Sequence, residues 1–161
     1  MSKVLIINGS PRVNGNTSIA VREMENVFEE ADGLVVASPV YYASANATLI
    51  AFLDRLFYST HFDKSMKVGA SVVCARRGGC SATFDELNKY FTICNMPIAS
   101  SQYWNSIHGR KEGEAEMDEE GKQTMRTLAR NMVFLIKSIE LGKREFGLPK
   151  QEEWKPTHFI M

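Results

Sequence analysis

The segment Gly9-Ser10-Pro11-Arg12-Val13-Asn14-Gly15-Asn16-Thr17-Ser18 crowds hydroxyls, amides and one guanidinium into a single turn. An apolar run precedes it and a helix-forming stretch follows. That combination is the chemistry of anion recognition. The first amides of a helix lack internal partners and sit at the positive end of its dipole. Hydroxyl donors and Arg12 would add charge-assisted bonds to a phosphate. A turn with an N-cap needs only one such side chain, and this loop carries more. GxGxxG is absent, so an ordinary dinucleotide site is not expected. GxxxxGK[ST] is absent, which argues against a nucleoside-triphosphate loop. No cysteine lies in the segment, so a thiol phosphatase would have no nucleophile there.

Two further loops hold residues with chemical potential. Tyr41 and Tyr42 follow Pro39 and Val40 and precede Ala43. At a strand end their rings can offer aromatic surface to a planar ligand. The alternative is that one packs in the core and the other faces solvent. In Ala75-Arg76-Arg77-Gly78-Gly79 the glycines allow close backbone approach. Arg76 and Arg77 read equally well as a solvated charge pair. His61, His108 and His158 lie far apart and read as surface or loop residues. The acidic run Glu112–Glu120 lacks the calcium-loop pattern and reads as a solvated face or a helix start. Cys74, Cys80 and Cys94 suit neither a disulfide framework nor a CxxC metal site.

These loops must be held by regular elements. Val4–Ile7 is a branched apolar run, as in a strand buried on both faces. Asn16-Thr17-Ser18 supplies N-caps for a helix through about Glu30. Leu34–Ala37 is a second strand, ended by Ser38-Pro39. The loop Val40–Ala45 leads into a helix from about Asn46 to Tyr58. Val68–Cys74 is a third strand, followed by a helix from about Ser81 to Cys94. Pro97–Ser100 is expected as a short fourth strand, with Trp104 just past it. Lys111–Gly121 is a surface loop or helix lead-in, and Gln123 to about Lys143 is the longest helix. Alternating strands and helices mean a parallel sheet with helices on its faces. Ligands in such folds sit beyond the carboxyl ends of the strands. The three loops named above lie at those ends.

The chain has 161 residues, 44% hydrophobic and 24% charged, which suits one globular domain. Nineteen basic and nineteen acidic residues cancel, so nothing favours a nucleic-acid or membrane-surface binder. No apolar run approaches the roughly 20 residues that span a bilayer. The N-terminus lacks a signal-peptide pattern, and a cytoplasmic location is expected.

The segments NGSPRVNGNTS, SPVYYASANATLIAFLDR, ARRGGCSATFDELNKYFTICNMPIASSQYW and DEEGKQTMRTLARNM together cover much of the chain. It resembles the flavodoxin-like NAD(P)H-dependent FMN reductases, and among them the branch that includes the iron–sulfur flavoproteins. The resemblance implies a three-layer α/β sandwich with a parallel sheet. It implies bound FMN, with NADH or NADPH as co-substrate and a small molecule or protein as electron acceptor. Ser10, Arg12, Asn16, Thr17 and Ser18 would then hold the FMN phosphate. Pro39, Val40, Tyr41, Tyr42 and Ala43 would flank the isoalloxazine ring. Ala75, Arg76, Arg77, Gly78 and Gly79 would border its other edge. The cofactor supplies the chemistry, so no catalytic side chain is assigned. Residues 1–145 would form the domain, and 146–161 a tail at the interface of a homodimer or homotetramer.

One departure stands out. The family has a second edge strand and another crossover before the strand at 33–38, and here one helix joins the flanking strands directly. Crossovers are right-handed in about 98% of cases. A direct one would put the first helix on the wrong face and leave apolar sheet exposed beside the last helix. Either a partner chain covers that face or residues between Arg22 and Ala31 are missing from this sequence; the second is favoured. The cluster cysteines of the iron–sulfur relatives would lie in that same region, so no cluster is expected from this chain. Competing functions are an electron-transfer flavodoxin, which the neutral charge disfavours, and an interaction domain without flavin, which the phosphate loop disfavours.

Overall fold

A computed structural model describes residues 2–9 and 28–159. Strand β1 (Val4–Asn8) pairs in parallel with β2 (Gly33–Tyr41), Ile7 opposite Val36. On its other side β2 pairs in parallel with β4 (Val68–Ala75), and β4 with β5 (Ser106–His108). The two-residue strand β3 (Ser44–Ala45) folds back on the end of β2 as an antiparallel hairpin. Among the described residues the sheet order is β1-β2-β4-β5, with β1 at one edge.

Helices cover both faces. Helix α1 (Ala47–Ser59) buries Leu49, Leu53 and Leu56, a stripe at helical spacing. Its N-cap is Asn46, whose side chain accepts the Leu49 N–H at 3.1 Å. Helix α2 (Cys80–Ile93) buries Thr83, Leu87 and Phe91. These helices share one core with Ile7, Leu34, Val36 and Val73. Residues 28–30 are helical, and Phe28 joins that core, its ring 5.1 Å from Phe62 and 5.7 Å from Phe57. Helix α3 (Glu119–Phe146) lies on the opposite face. Its Leu128, Met132 and Ile136 pack on Val68 and Ala70. Asp118 caps it, Glu119 and Glu120 fill its first turn, and Lys143 and Arg144 its last, matching the helix dipole. Beyond Gly147 the chain to 159 has no regular structure and is largely exposed.

The strands expected from apolar runs are present. The fourth strand is a correction. Only Ile98 of Pro97–Ser100 bridges the sheet, opposite Gly69, and the strand that pairs with β4 is Ser106–His108. Tyr103 and Trp104 therefore precede the last strand instead of following it. Strand β2 also runs past Ser38-Pro39, because Pro39 stands opposite Cys74 in the parallel register. Of the first helix, the turn at 28–30 is described; the proposed break between Arg22 and Ala31 otherwise lies outside the described residues.

Candidate functional site

All four parallel strands run the same way, so Asn8, Tyr41, Ala75 and His108 end along one edge of the sheet. The starts of α1 and α2, and Asp118 ahead of α3, follow those strand ends in the chain. Helix N-termini carry partial positive charge and free amides. The starting helix α2 has Gly79 as its N-cap and no side-chain cap bond. Its first amides are thus available to an acceptor on a ligand.

The second and third loops form one surface. Pro39, Val40 and Tyr41 are the last residues of β2, and Tyr42 and Ala43 are the turn to β3. Both turn residues have positive φ, 52° and 59°. Two left-handed residues give a hairpin turn whose twist matches the strands, though non-glycine residues there are strained. Tyr42 is fully exposed and Tyr41 about half so, which leaves neither ring in the core. Ala75 ends β4, Arg76, Arg77 and Gly78 are exposed, and Gly79 enters α2 at φ 88°. A Cβ on Gly79 would stand 2.9 Å from both the Ala43 Cα and the Val40 Cγ1. Gly79 is therefore the contact that seats one loop on the other. Gly78 has open space around it.

Glu86 of α2 fixes the hairpin from below. Its carboxylate accepts the Ser44 hydroxyl at 2.9 and 3.0 Å and the Ala45 N–H at 2.7 Å. Ser38 ties the hairpin base to α1, its hydroxyl accepting the Asn46 N–H at 2.9 Å. Gly9 begins the polar loop after β1. Its N–H donates to Ala37 O at 2.8 Å, and a Cβ there would meet the Leu49 side chain at 2.7 Å. The loop thus leaves β1 beside the start of α1. Ser10, Arg12, Asn16, Thr17 and Ser18 lie outside the described residues.

Two residues at this edge escaped the sequence reading. Glu86 looked like an ordinary helix residue, because its partners lie about 40 positions away. His108 read as a surface histidine, yet it ends β5 between Cys80 and Asp118. Its only sequence signal was its place one residue before a glycine. The Asp118 carboxyl is held below the usual range, first by the Gly121 N–H, then by the His108 amide and ring against an opposing burial. Burial pushes the Cys74 and Cys80 thiols up. Among the described residues no group of three His, Cys, Asp or Glu side chains is placed to hold a metal ion, and no helix is long and apolar enough to cross a membrane.

Residues 20–111 match the family described as NADPH-dependent FMN reductase. The chain belongs to that family. An iron–sulfur flavoprotein of Methanocaldococcus jannaschii is 25% identical to it, over 86% of this chain and 99% of the relative. That alignment runs over 191 positions, more than the 161 residues here, so the relative has residues without a counterpart. An iron–sulfur flavoprotein of Methanosarcina thermophila is 30% identical over 75% of this chain and 66% of its own. The fold matches a solved NADH:FMN oxidoreductase with a TM-score of 0.60, at 18% identity, over 86% and 90% of the two chains. The architecture is the flavodoxin-like three-layer sandwich, and the protein is a flavoprotein oxidoreductase of the FMN type. The edge described above fits such a cofactor: open aromatic surface, a glycine-lined approach and unclaimed helix amides.

Proposed function

We propose that the protein binds FMN at the carboxyl edge of its sheet, accepts a hydride from NADH or NADPH, and passes the electrons to a second acceptor. That acceptor is a small molecule such as a quinone or free flavin, or a partner protein. The observation that carries this reading is the seat of Gly79 on Val40 and Ala43, which joins two ring-flanking loops into one open surface. FMN supplies the redox chemistry when bound, and the chain supplies binding and orientation. Tyr41 and Tyr42 offer ring faces beside the isoalloxazine. The amides at 76–79 and the uncapped start of α2 hydrogen-bond its polar edge. Ser10, Arg12, Asn16, Thr17 and Ser18 hold the phosphate. The family name and the solved neighbour support a nicotinamide donor.

The test is the visible spectrum of the purified protein. A yellow protein that bleaches quickly with NADH or NADPH supports the reading. Bleaching only by dithionite would make it an electron carrier. Heat-released ligand should have the mass of FMN; recovery of FAD would contradict the single-phosphate loop.

A further inference from the structure

Cys80, His108 and Asp118 come from three elements and meet at the carboxyl edge of the sheet. Cys80 opens α2, His108 closes β5, and Asp118 caps α3. The Cys80 Sγ lies 3.8 Å from His108 Nε2. On the opposite side of the ring, His108 Nδ1 lies 3.4 Å from Asp118 Oδ2. That same oxygen accepts the His108 backbone N–H at 2.7 Å, and Oδ1 accepts the Gly121 N–H at 2.8 Å. A Cβ on Gly121 would stand 2.5 Å from Oδ2, so the glycine makes room for the carboxylate. With the ring proton on Nδ1, beside that carboxylate, Nε2 is left as an acceptor facing the sulfur. Sulfur and carboxylate approach different nitrogens, so they cannot converge on one metal ion. The His108 ring is 43% exposed, which leaves the group open to small molecules. A nucleophile, its base and the group that orients the base are the parts of an activated thiol.

We propose that Cys80 is a nucleophilic thiol that adds to soft carbon electrophiles of the α,β-unsaturated carbonyl class, with His108 as its base and Asp118 as the positioning residue. As Sγ attacks the β-carbon, its proton passes to His108 Nε2. The S–C bond forms while the C=C electron pair shifts toward the carbonyl oxygen, giving an enolate. The imidazolium then returns the proton to the α-carbon. The sum is an addition: nothing is oxidised or reduced, and no other reactant is consumed. Burial, with Cys74 of β4 adding to it, keeps the resting sulfur protonated, so its reactivity has to come through the base. Cys74 and Cys94 are also pushed up by burial and serve as internal references.

The experiment treats the purified full-length protein with limiting N-ethylmaleimide and follows each cysteine by peptide mass mapping. Cys80 should label at least about tenfold faster than Cys74 and Cys94. His108→Gln should bring its rate down to theirs without changing theirs. Asp118→Asn keeps a good helix cap but removes the charge; it should slow Cys80 and leave Cys94 unchanged, and Asp118→Glu should restore part of the rate. Equal labelling of Cys80 and Cys94 in the unmodified protein would overturn the proposal. So would an unchanged Cys80 rate in His108→Gln, or a rise at all three cysteines together, which marks a loosened fold.

Discussion

Gly79 has to satisfy two constraints at once, a left-handed backbone and the absence of a side chain against Val40 and Ala43. Gly79→Ala is expected to lower stability by about 1–3 kcal/mol, from strain and contact together. Gly78 faces open space, and Gly78→Ala should stay within about 0.5 kcal/mol in the same denaturant titration. The sequence pointed to both glycines as a place of close approach, but only packing tells which of them needs it. At the proposed phosphate loop, Arg12→Ala and Thr17→Ala should each weaken FMN binding by roughly 1.5–3 kcal/mol, the worth of a charge-assisted bond. Flavin fluorescence titration measures this, and wild-type affinity in both variants would remove the loop assignment. The exposure of Tyr41 and Tyr42 was legible because a strand end after Pro39 leaves rings outside the sheet. The trio of Cys80, His108 and Asp118 was not. Its members are 28 and 10 residues apart, and no periodicity links them.

The long elements were legible from apolar runs and helical stripes, since burial on a sheet or under a helix imposes those patterns. Strand β5 was not. Ser106-Ile107-His108 is short and polar, whereas Pro97–Ser100 looks more like a strand but makes a single bridge to the sheet, around Gly69. Helix α3 starts at Glu119, earlier than the apolar stripe suggests, because Asp118 caps it. That cap carries a pH dependence. The Asp118 carboxyl titrates lower in the folded chain than its ordinary value, chiefly because the Gly121 N–H bonds the charged form. Its stabilisation is therefore full above the ordinary aspartate range and is lost as pH falls through the folded value. Asp63 and Glu114 are lowered in the same direction by backbone N–H bonds, so part of the acid slope remains without Asp118. Asp118→Asn should flatten the loss of stability between about pH 5 and pH 2 without abolishing it. Circular dichroism of urea unfolding across that range checks this, and an unchanged slope would contradict it.

Among the described residues strand β1 is the edge of the sheet, and one of its faces is poorly covered. Ile7 is buried under α1, but Val4 and Ile6 point to the α3 side and are 41% and 66% exposed. Phe134 and Leu141 on α3 are exposed as well. Apolar surface of this kind is usual at interfaces between chains. We therefore expect a homodimer or homotetramer, with a light-scattering mass well above 18.1 kDa at micromolar concentration. Ile6→Lys should shift it toward the monomer, and a monomeric wild type would count against this face as an interface. The edge position of β1 has a second consequence, in time rather than in space. Among the described strands β1 pairs with β2 alone, whereas β2 and β4 are each flanked on both sides. Partial opening that releases β1 leaves the β2–β4 and β4–β5 pairings intact, so its amides should exchange with solvent sooner than those of the central strands. The loop proposed to grip the phosphate hangs directly from that strand. A ligand bound there favours the closed form in proportion to its concentration over its Kd. Exchange along Val4–Asn8 should thus slow as FMN is added, so the first strand reports occupancy of the site.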